Sequence, residues 1–242
     1  MKTRADLLLV ARGLFESRAK ARAAIEAGGV VADGRPVTKA AELLSDQAVI
    51  EAAAAHPWVG RGALKLEHAL TLWPIVVQGR VVLDVGSSTG GFTEVCLAAG
   101  ARRVYAVDVG RDQMHASLTN DPRVVLLEGV DARDLTSAQI IEAPQLVVCD
   151  VSFIGLAKAL PAALALAAEG ADLVVLVKPQ FEVGRDRVGK GGVVKDAEAR
   201  AQSLEAAKTF LEGVGWAVQA TADSPIDGGG GNREHLLWAQ KR

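Results

Sequence analysis

Asp84 stands near the end of Val81-Val-Leu-Asp-Val85, and Gly86, Gly90 and Gly91 follow at once. A short, β-branched apolar run of this kind predicts a strand buried on both faces. Glycines after such a strand let the backbone turn sharply and approach a ligand that a Cβ would obstruct. The apolar segment from Phe92 to Ala99 then reads as a helix whose unpaired N-terminal amides face that ligand. Gly86, Ser87, Ser88, Gly90, Gly91 and Phe92 thus form a candidate nucleotide-type cradle at the carboxyl end of a central strand, with Asp84 beside it. A plain strand-to-helix turn is the competing reading.

The spacing narrows the ligand. A dinucleotide needs Gly-x-Gly-x-x-Gly so that its pyrophosphate can rest on the helix; here it is Gly86-x-x-x-Gly90-Gly91. A carboxylate by the turn suits an ammonium better than a pyrophosphate. S-adenosylmethionine carries an ammonium, a carboxylate, a ribose and an adenine but no phosphate, and fits this set better than NAD. Asp108 ends Val104-Tyr-Ala-Val-Asp108, roughly twenty residues after the turn, where an acid accepts hydrogen bonds from ribose hydroxyls; its alternative is a loop cap. Asp131, in Gly129-Val-Asp-Ala-Arg133, is either a partner for an adenine amino group or the cap of the next helix.

Leu146-Val-Val-Cys-Asp150 and Leu173-Val-Val-Leu-Val-Lys-Pro179 end in polar residues. Parallel neighbours would bring Asp150 and Lys178 to the same crevice as Gly86, with Pro179 holding Lys178 extended. Burial favours the neutral amine and a neighbouring carboxylate the ammonium, and the sequence leaves both open. Glu234 begins at the same edge if His235-Leu-Leu-Trp-Ala-Gln240 returns antiparallel. Gly184 to Gly191 matches a P-loop for seven positions, but Gly191 stands where Ser or Thr must hold magnesium. It reads instead as a mobile basic loop that can close over substrate. His56, His68, His115 and His235 show no metal spacing.

The elements that must position these residues alternate. Strands are predicted at 81–85, 103–108, 123–127, 145–150, 172–178, 215–221 and 235–240. Helices are predicted near 91–99, 112–119, 134–142, 155–168 and 196–213, with Pro161 opening or kinking the fourth. The result is an α/β, Rossmann-like, mostly parallel sheet with helices on both faces. Ahead of it a helix from Ala63 turns Leu66, Ala69, Leu70 and Trp73 inward. Lys65 lies at the border of that stripe, where a lysine normally snorkels.

Residues 1–58 differ in texture and predict a small α+β domain, leaving 59–242 as a second one. Arg4 to Gly13 reads as a short helix, Ser17 caps a helix over Arg18–Ala27, and Asp33-Gly34 turns a hairpin within Val30–Val37. Ala48 to Ile50 is the expected closing strand. Eight Lys/Arg against seven Asp/Glu make this segment nearly neutral, yet Arg18, Lys20 and Arg22 gather on one helix.

Half of all residues are hydrophobic, enough for a sizeable core, and the net charge is −2. Any RNA contact must therefore be local. No run of about 18 uncharged apolar residues occurs, which argues against a membrane span. Asp6 and Arg12 come too early for a signal peptide. Cys96 and Cys149 fall in core elements and form no disulfide framework, so a reducing, cytoplasmic setting is expected.

Several motifs together resemble a known family: Ser17-Arg18 through Asp33-Gly34, Gly60-Arg-Gly-Ala-Leu-Lys-Leu66, Asp84 to Thr93, Asp150-Val-Ser-Phe153, Lys178-Pro-Gln-Phe-Glu182 and Gly231-Asn-Arg-Glu234. Over nearly its whole length the chain is similar to the haemolysin-A-like (TlyA) ribosomal RNA methyltransferases, an S4 RNA-binding module ahead of an FtsJ-like methyltransferase domain. The family usually shows Ser-Arg-Gly-Gly where this chain has Gly60-Arg-Gly-Ala63. The resemblance implies a catalytic set of Lys65, Asp150, Lys178 and Glu234, with S-adenosylmethionine as donor. It implies a cytidine ribose 2′-hydroxyl of ribosomal RNA as acceptor, naked or within ribosomal subunits, and RNA contacts from Arg4, Arg18, Lys20, Arg22 and Arg61. A required 2′-hydroxyl excludes DNA. The competing reading is a non-catalytic RNA-binding or ribosome-assembly factor whose second domain only senses the cofactor.

Overall fold

The computed structural model describes residues 2–242, and the chain divides into two compact units between Pro57 and Trp58. In the first, β1 (Lys2–Arg4) runs into α1 (Ala5–Ala11), which stops at Gly13 with φ +70°. Ser17 Oγ accepts the Lys20 amide at 3.3 Å and starts α2 (Arg18–Glu26). The hairpin of β2 (Val30–Ala32) and β3 (Arg35–Pro36) turns on Asp33 and Gly34, both left-handed at φ 50° and 75°, as a tight two-residue turn requires. Leu8, Leu9, Phe15, Ile25, Val30 and Leu44 meet in its core.

Two strands of this unit differ from expectation. β4 (Leu43–Ser45) pairs antiparallel with β1 and carries no obvious strand pattern. The closing strand is β5 (Ile50–Ala52), two residues later than 48–50. Ala48 is drawn into a turn by its amide bond to the Ser45 carbonyl, and the partner of Val30 is Ala52.

The second unit runs α3 (Ala63–Leu72), β6 (Val81–Val85), α4 (Gly91–Ala98), β7 (Arg103–Asp108), α5 (Ala116–Thr119), β8 (Val124–Glu128), β9 (Leu146–Cys149), α6 (Leu156–Ala159), α7 (Pro161–Leu166), β10 (Asp172–Val177), α8 (Pro179–Glu182), α9 (Ala197–Gly213), β11 (Trp216–Asp223) and β12 (His235–Lys241). The sheet order is β11-β12-β10-β9-β6-β7-β8. Pairs from β10 to β8 are parallel, and β12 is antiparallel to both neighbours. Alternation along β6 feeds two cores: Val81, Leu83 and Val85 join the residues of α6, α7 and α9, while Val82 joins those of α3 and α4. This is the expected α/β, Rossmann-like sheet, covered on both faces.

Two predicted helices are largely absent. Over 112–119 only Ala116–Thr119 is helical: Asp112 is left-handed at φ 56°, and the residues before the short helix form a loop whose Asp112, Gln113 and Met114 amides donate to the Glu128 carboxylate. Over 134–142 there is no α-helix, only a single 3₁₀ turn at Ala132–Asp134 just before it; the Thr136 amide bonds the Gln139 side chain instead. The fourth helix breaks in two at Leu160–Pro161. Cys96 and Cys149 are buried and free. Among the described residues no helix is long and apolar enough to cross a membrane.

Candidate active site

Five parallel strands deliver their carboxyl ends to one edge of the sheet, where a cleft of about 700 Å³ opens. Gly86, Ser88, Asp108, Asp131 and Asp150 line it. Gly86 has φ +83°, and a Cβ there would lie 3.1 Å from the backbone of Asp150 and Val151, so only glycine lets β6 and β9 end this close. Gly90, at φ +94°, starts α4, and a Cβ on Gly91 would press on the Ala63 amide of α3 at 3.0 Å.

The other cradle residues stand behind the cleft. Asp84 is fully buried and accepts the Thr93 hydroxyl of α4 at 2.7 Å. Burial pushes its carboxyl up to about 7. The Asp84 Oδ1 and the buried Ser87 Oγ have no partner among the described residues. Phe92 is buried in the core, packed with Val82 and Val95. Asp108 holds the turn through backbone amides, accepting from Ser88 at 2.8 Å and Gly110 at 2.7 Å. Asp131 caps the 3₁₀ turn after β8 and is gripped by Arg133 at 2.6 and 2.9 Å. That contact lowers its carboxyl to about 2. Of the two roles open to Asp131, this geometry displays the cap.

Four charged side chains from distant segments form two ion pairs at this edge. Lys178, extended ahead of Pro179, places Nζ 2.6 Å from Asp150 Oδ1, 2.9 Å from Ser152 Oγ and 3.3 Å from the Asp150 carbonyl. The Ser152 hydroxyl and the Asp150 carbonyl accept hydrogen bonds from Nζ, and Asp150 Oδ1 adds the ion pair. Lys65 is buried, not snorkelling, with Nζ 2.6 Å from Glu234 Oε2. The pairs are neighbours through the fold. Val177 is opposite His235 in the β10–β12 register, so Lys178 and Glu234 follow on facing strands. A Cβ on Gly62, just ahead of Lys65, would lie 3.3 Å from Asp150 Oδ2. Glu234 fills the space where Gly228 lacks a side chain, and Gln180 approaches its Oε1 at 3.5 Å.

Sequence reasoning missed three residues of this region. Ser152 bonds Lys178, Gln180 borders Glu234, and Phe153 lines the cleft, 91 % exposed, left-handed at φ 68° and tilted against Phe181. Ser152 and Phe153 lie inside the motif that starts at Asp150, and Gln180 inside the one that starts at Lys178. Motif membership was the available signal. The 184–191 segment joins α8 to α9 and follows no strand, unlike a P-loop. No cluster of three potential metal ligands occurs among the described residues.

Of the basic residues, Arg61 donates to the Asp227 carbonyl at 3.1 Å. On the first unit, Lys20 pairs with Glu16 and Arg22 with Glu26, both at 2.7 Å. Arg4 and Arg18 share Asp6.

Comparison with known proteins gives this geometry its context. The FtsJ-like methyltransferase family profile matches residues 58–241 and the S4 domain profile residues 3–50. The 16S/23S rRNA (cytidine-2′-O)-methyltransferase TlyA of Mycobacterium tuberculosis is 48 % identical over 98 % of this chain and 89 % of its own length. Hemolysin A of Brachyspira hyodysenteriae is 38 % identical over 96 % and 98 %. The solved structure of a proposed hemolysin from Streptococcus thermophilus superposes with a TM-score of 0.79 at 38 % identity, covering 99 % of this chain and 88 % of that one. With matches this long on both sides, the chain belongs to the TlyA family of FtsJ-like methyltransferases that carry an S4 domain.

Proposed function

We propose that the protein transfers a methyl group from S-adenosylmethionine to a cytidine ribose 2′-hydroxyl of ribosomal RNA, in the cytoplasm, with Lys65, Asp150, Lys178 and Glu234 as its catalytic set. The observation that carries this reading is the Lys178–Asp150 pair at the edge of the cleft, beside the buried Lys65–Glu234 pair. A factor that only sensed its cofactor would have no need of two buried lysines there.

The cradle fits the donor. Two buried acceptors, Asp84 Oδ1 and Ser87 Oγ, lack partners among the described residues, and Gly86 leaves open the space a side chain would fill. Asp84, Gly86, Ser87, Ser88, Gly90 and Gly91 would hold the amino-acid portion, Asp108 the ribose and Asp131 the adenine side. When bound, S-adenosylmethionine supplies an electrophilic methyl carbon.

The chain's own groups must then make a poor nucleophile attack. A ribose hydroxyl ionises far above neutral pH, so a positioned base has to take its proton as the bond forms. Lys178 is that base. Its neutral amine accepts the hydroxyl proton and becomes the ammonium, which Asp150 and Ser152 then hold in the arrangement observed. Asp150 fixes the amine, while Lys65 and Glu234, the latter next to Lys178 across the β10–β12 register, neutralise each other. Holding hydroxyl, methyl and sulfur in line is worth several kcal/mol of barrier. Arg4, Arg18, Lys20, Arg22 and Arg61 contribute phosphate contacts, which position the RNA without reading its sequence.

Lys178→Ala tests the assignment. Turnover should fall by a factor of about 100 or more, while calorimetry gives donor affinity within roughly threefold of the parent, as expected for a side chain acting on the acceptor. Undiminished turnover would remove Lys178 from the base role.

A further inference from the structure

Among the basic residues of the first unit, two are arranged unlike the rest. Lys20 and Arg22 pair with exposed acids one helical turn away, contacts that contribute little and rearrange freely. Arg4 and Arg18 instead converge on one carboxylate, Asp6, which is 3 % exposed. Arg4 Nε and Nη2 reach Asp6 Oδ1 and Oδ2 at 3.0 and 3.1 Å. Arg18 Nε and Nη2 reach Oδ2 at 3.2 and 2.9 Å. The Leu7 amide takes Oδ1 at 3.0 Å.

The three residues come from three elements, β1, α1 and α2, of which the two helices pack on the core of the unit and β1 pairs with β4. A simple internal ion pair would need one arginine. The second overcompensates the buried acid, so a net charge of +1 is displayed on side chains that stay 43 % and 59 % exposed. Among the described residues neither Nη1 group has a protein partner. Two part-exposed guanidiniums tied to one carboxylate, with donors to spare, suit an anion with two equivalent oxygens.

We infer that Asp6 is a positioning residue that binds Arg4 and Arg18 into one clamp for a phosphodiester of RNA. The inference rests on the RNA-binding role proposed above for these arginines and adds the residue that organises them. Without Asp6 the two guanidiniums repel each other and their long side chains return to many rotamers. The clamp therefore makes a prediction opposite to that of net charge. Asp6→Asn adds one positive charge, which by itself tightens RNA binding, yet loss of the clamp weakens it.

The test uses the full-length protein and deproteinised 16S and 23S rRNA transcripts, with affinity measured across a salt series. Asp6→Asn should weaken binding roughly tenfold, as loss of a charge-assisted contact does, and flatten the slope of log affinity against log salt by about one. Arg18→Lys, which keeps the charge but not the planar fork, should shift both in the same direction. In methylation assays KM for RNA should rise with kcat within about twofold of the parent. Equal or tighter binding by a folded Asp6→Asn protein overturns the clamp. Should that variant melt, Arg18→Lys decides, and parental affinity there overturns it too. If Arg18→Ala also binds RNA like the parent, the RNA-binding role of this arginine fails, and the clamp with it.

Discussion

Asp84 is a carboxyl held where its charge is most costly. Burial raises it from an ordinary value near 3.8 to about 7. Between those values the folded state binds a proton that the unfolded chain has released, so its contribution to stability falls as pH rises from about 4 to 7 and stays low above. Asp84→Asn keeps an acceptor for Thr93 and removes that cost. We expect its melting temperature to match the parent near pH 4 and exceed it at pH 8, by at most about 4 kcal/mol in stability, while donor affinity drops. Parallel melting profiles across this range would show that the Asp84 charge costs nothing. Asp6 has the opposite sign: bonds from Arg4, then Arg18, hold it well below the usual carboxylate range. Its stabilisation is present above about pH 4 and is lost on acidification.

At this scale the sequence was legible where one residue declares its own environment. Gly86, Asp84 and Lys178 each stand next to a buried strand whose pattern fixes their place. Lys65 was legible only through the family resemblance, not from its own surroundings. Its partner Glu234 lies 169 residues away, and only the folded chain brings them together. Phe92 opens a helix after a glycine turn, and local pattern does not choose whether such a residue points to the ligand or, as its side chain does, into the core.

Among the elements, α3 and the residue just ahead of β12 are joined by the Lys65–Glu234 pair, the most buried ion pair near the cleft. Removing one partner leaves the other charged and unpaired inside the protein. Lys65→Ala should therefore cost about 3–5 kcal/mol, whereas Lys65→Met combined with Glu234→Gln should recover most of that. Denaturant midpoints measure both. Methyl transfer should be lost in both variants, and a double variant no more stable than Lys65→Ala would contradict the pairing. Strands were the most legible elements, because β6, β9 and β10 are buried on both faces and read as short apolar runs, broken only by Asp84 within β6 and opened by Asp172 in β10. Helices were less so. Over 112–119 the left-handed Asp112 and the Glu128 carboxylate, which accepts the amides of Asp112, Gln113 and Met114, fix a loop, and those bonds depend on a side chain from another strand.

For the whole molecule, a small α+β unit matched by the S4 profile precedes a larger α/β unit matched by the FtsJ-like methyltransferase profile. The first unit displays cations over a compact core, and the second gathers its charged set at one sheet edge. The measurement that reaches the central claim most directly is the identity of the methylated nucleoside. The protein would be incubated with labelled S-adenosylmethionine and, separately, purified 30S subunits, 50S subunits and deproteinised rRNA, and the products digested and resolved by mass spectrometry. We expect label in 2′-O-methylcytidine with the parent protein, and none with Lys178→Ala. Label on a base, or equal 2′-O-methylcytidine from Lys178→Ala, would contradict a ribose methylation driven by the Lys178–Asp150 pair.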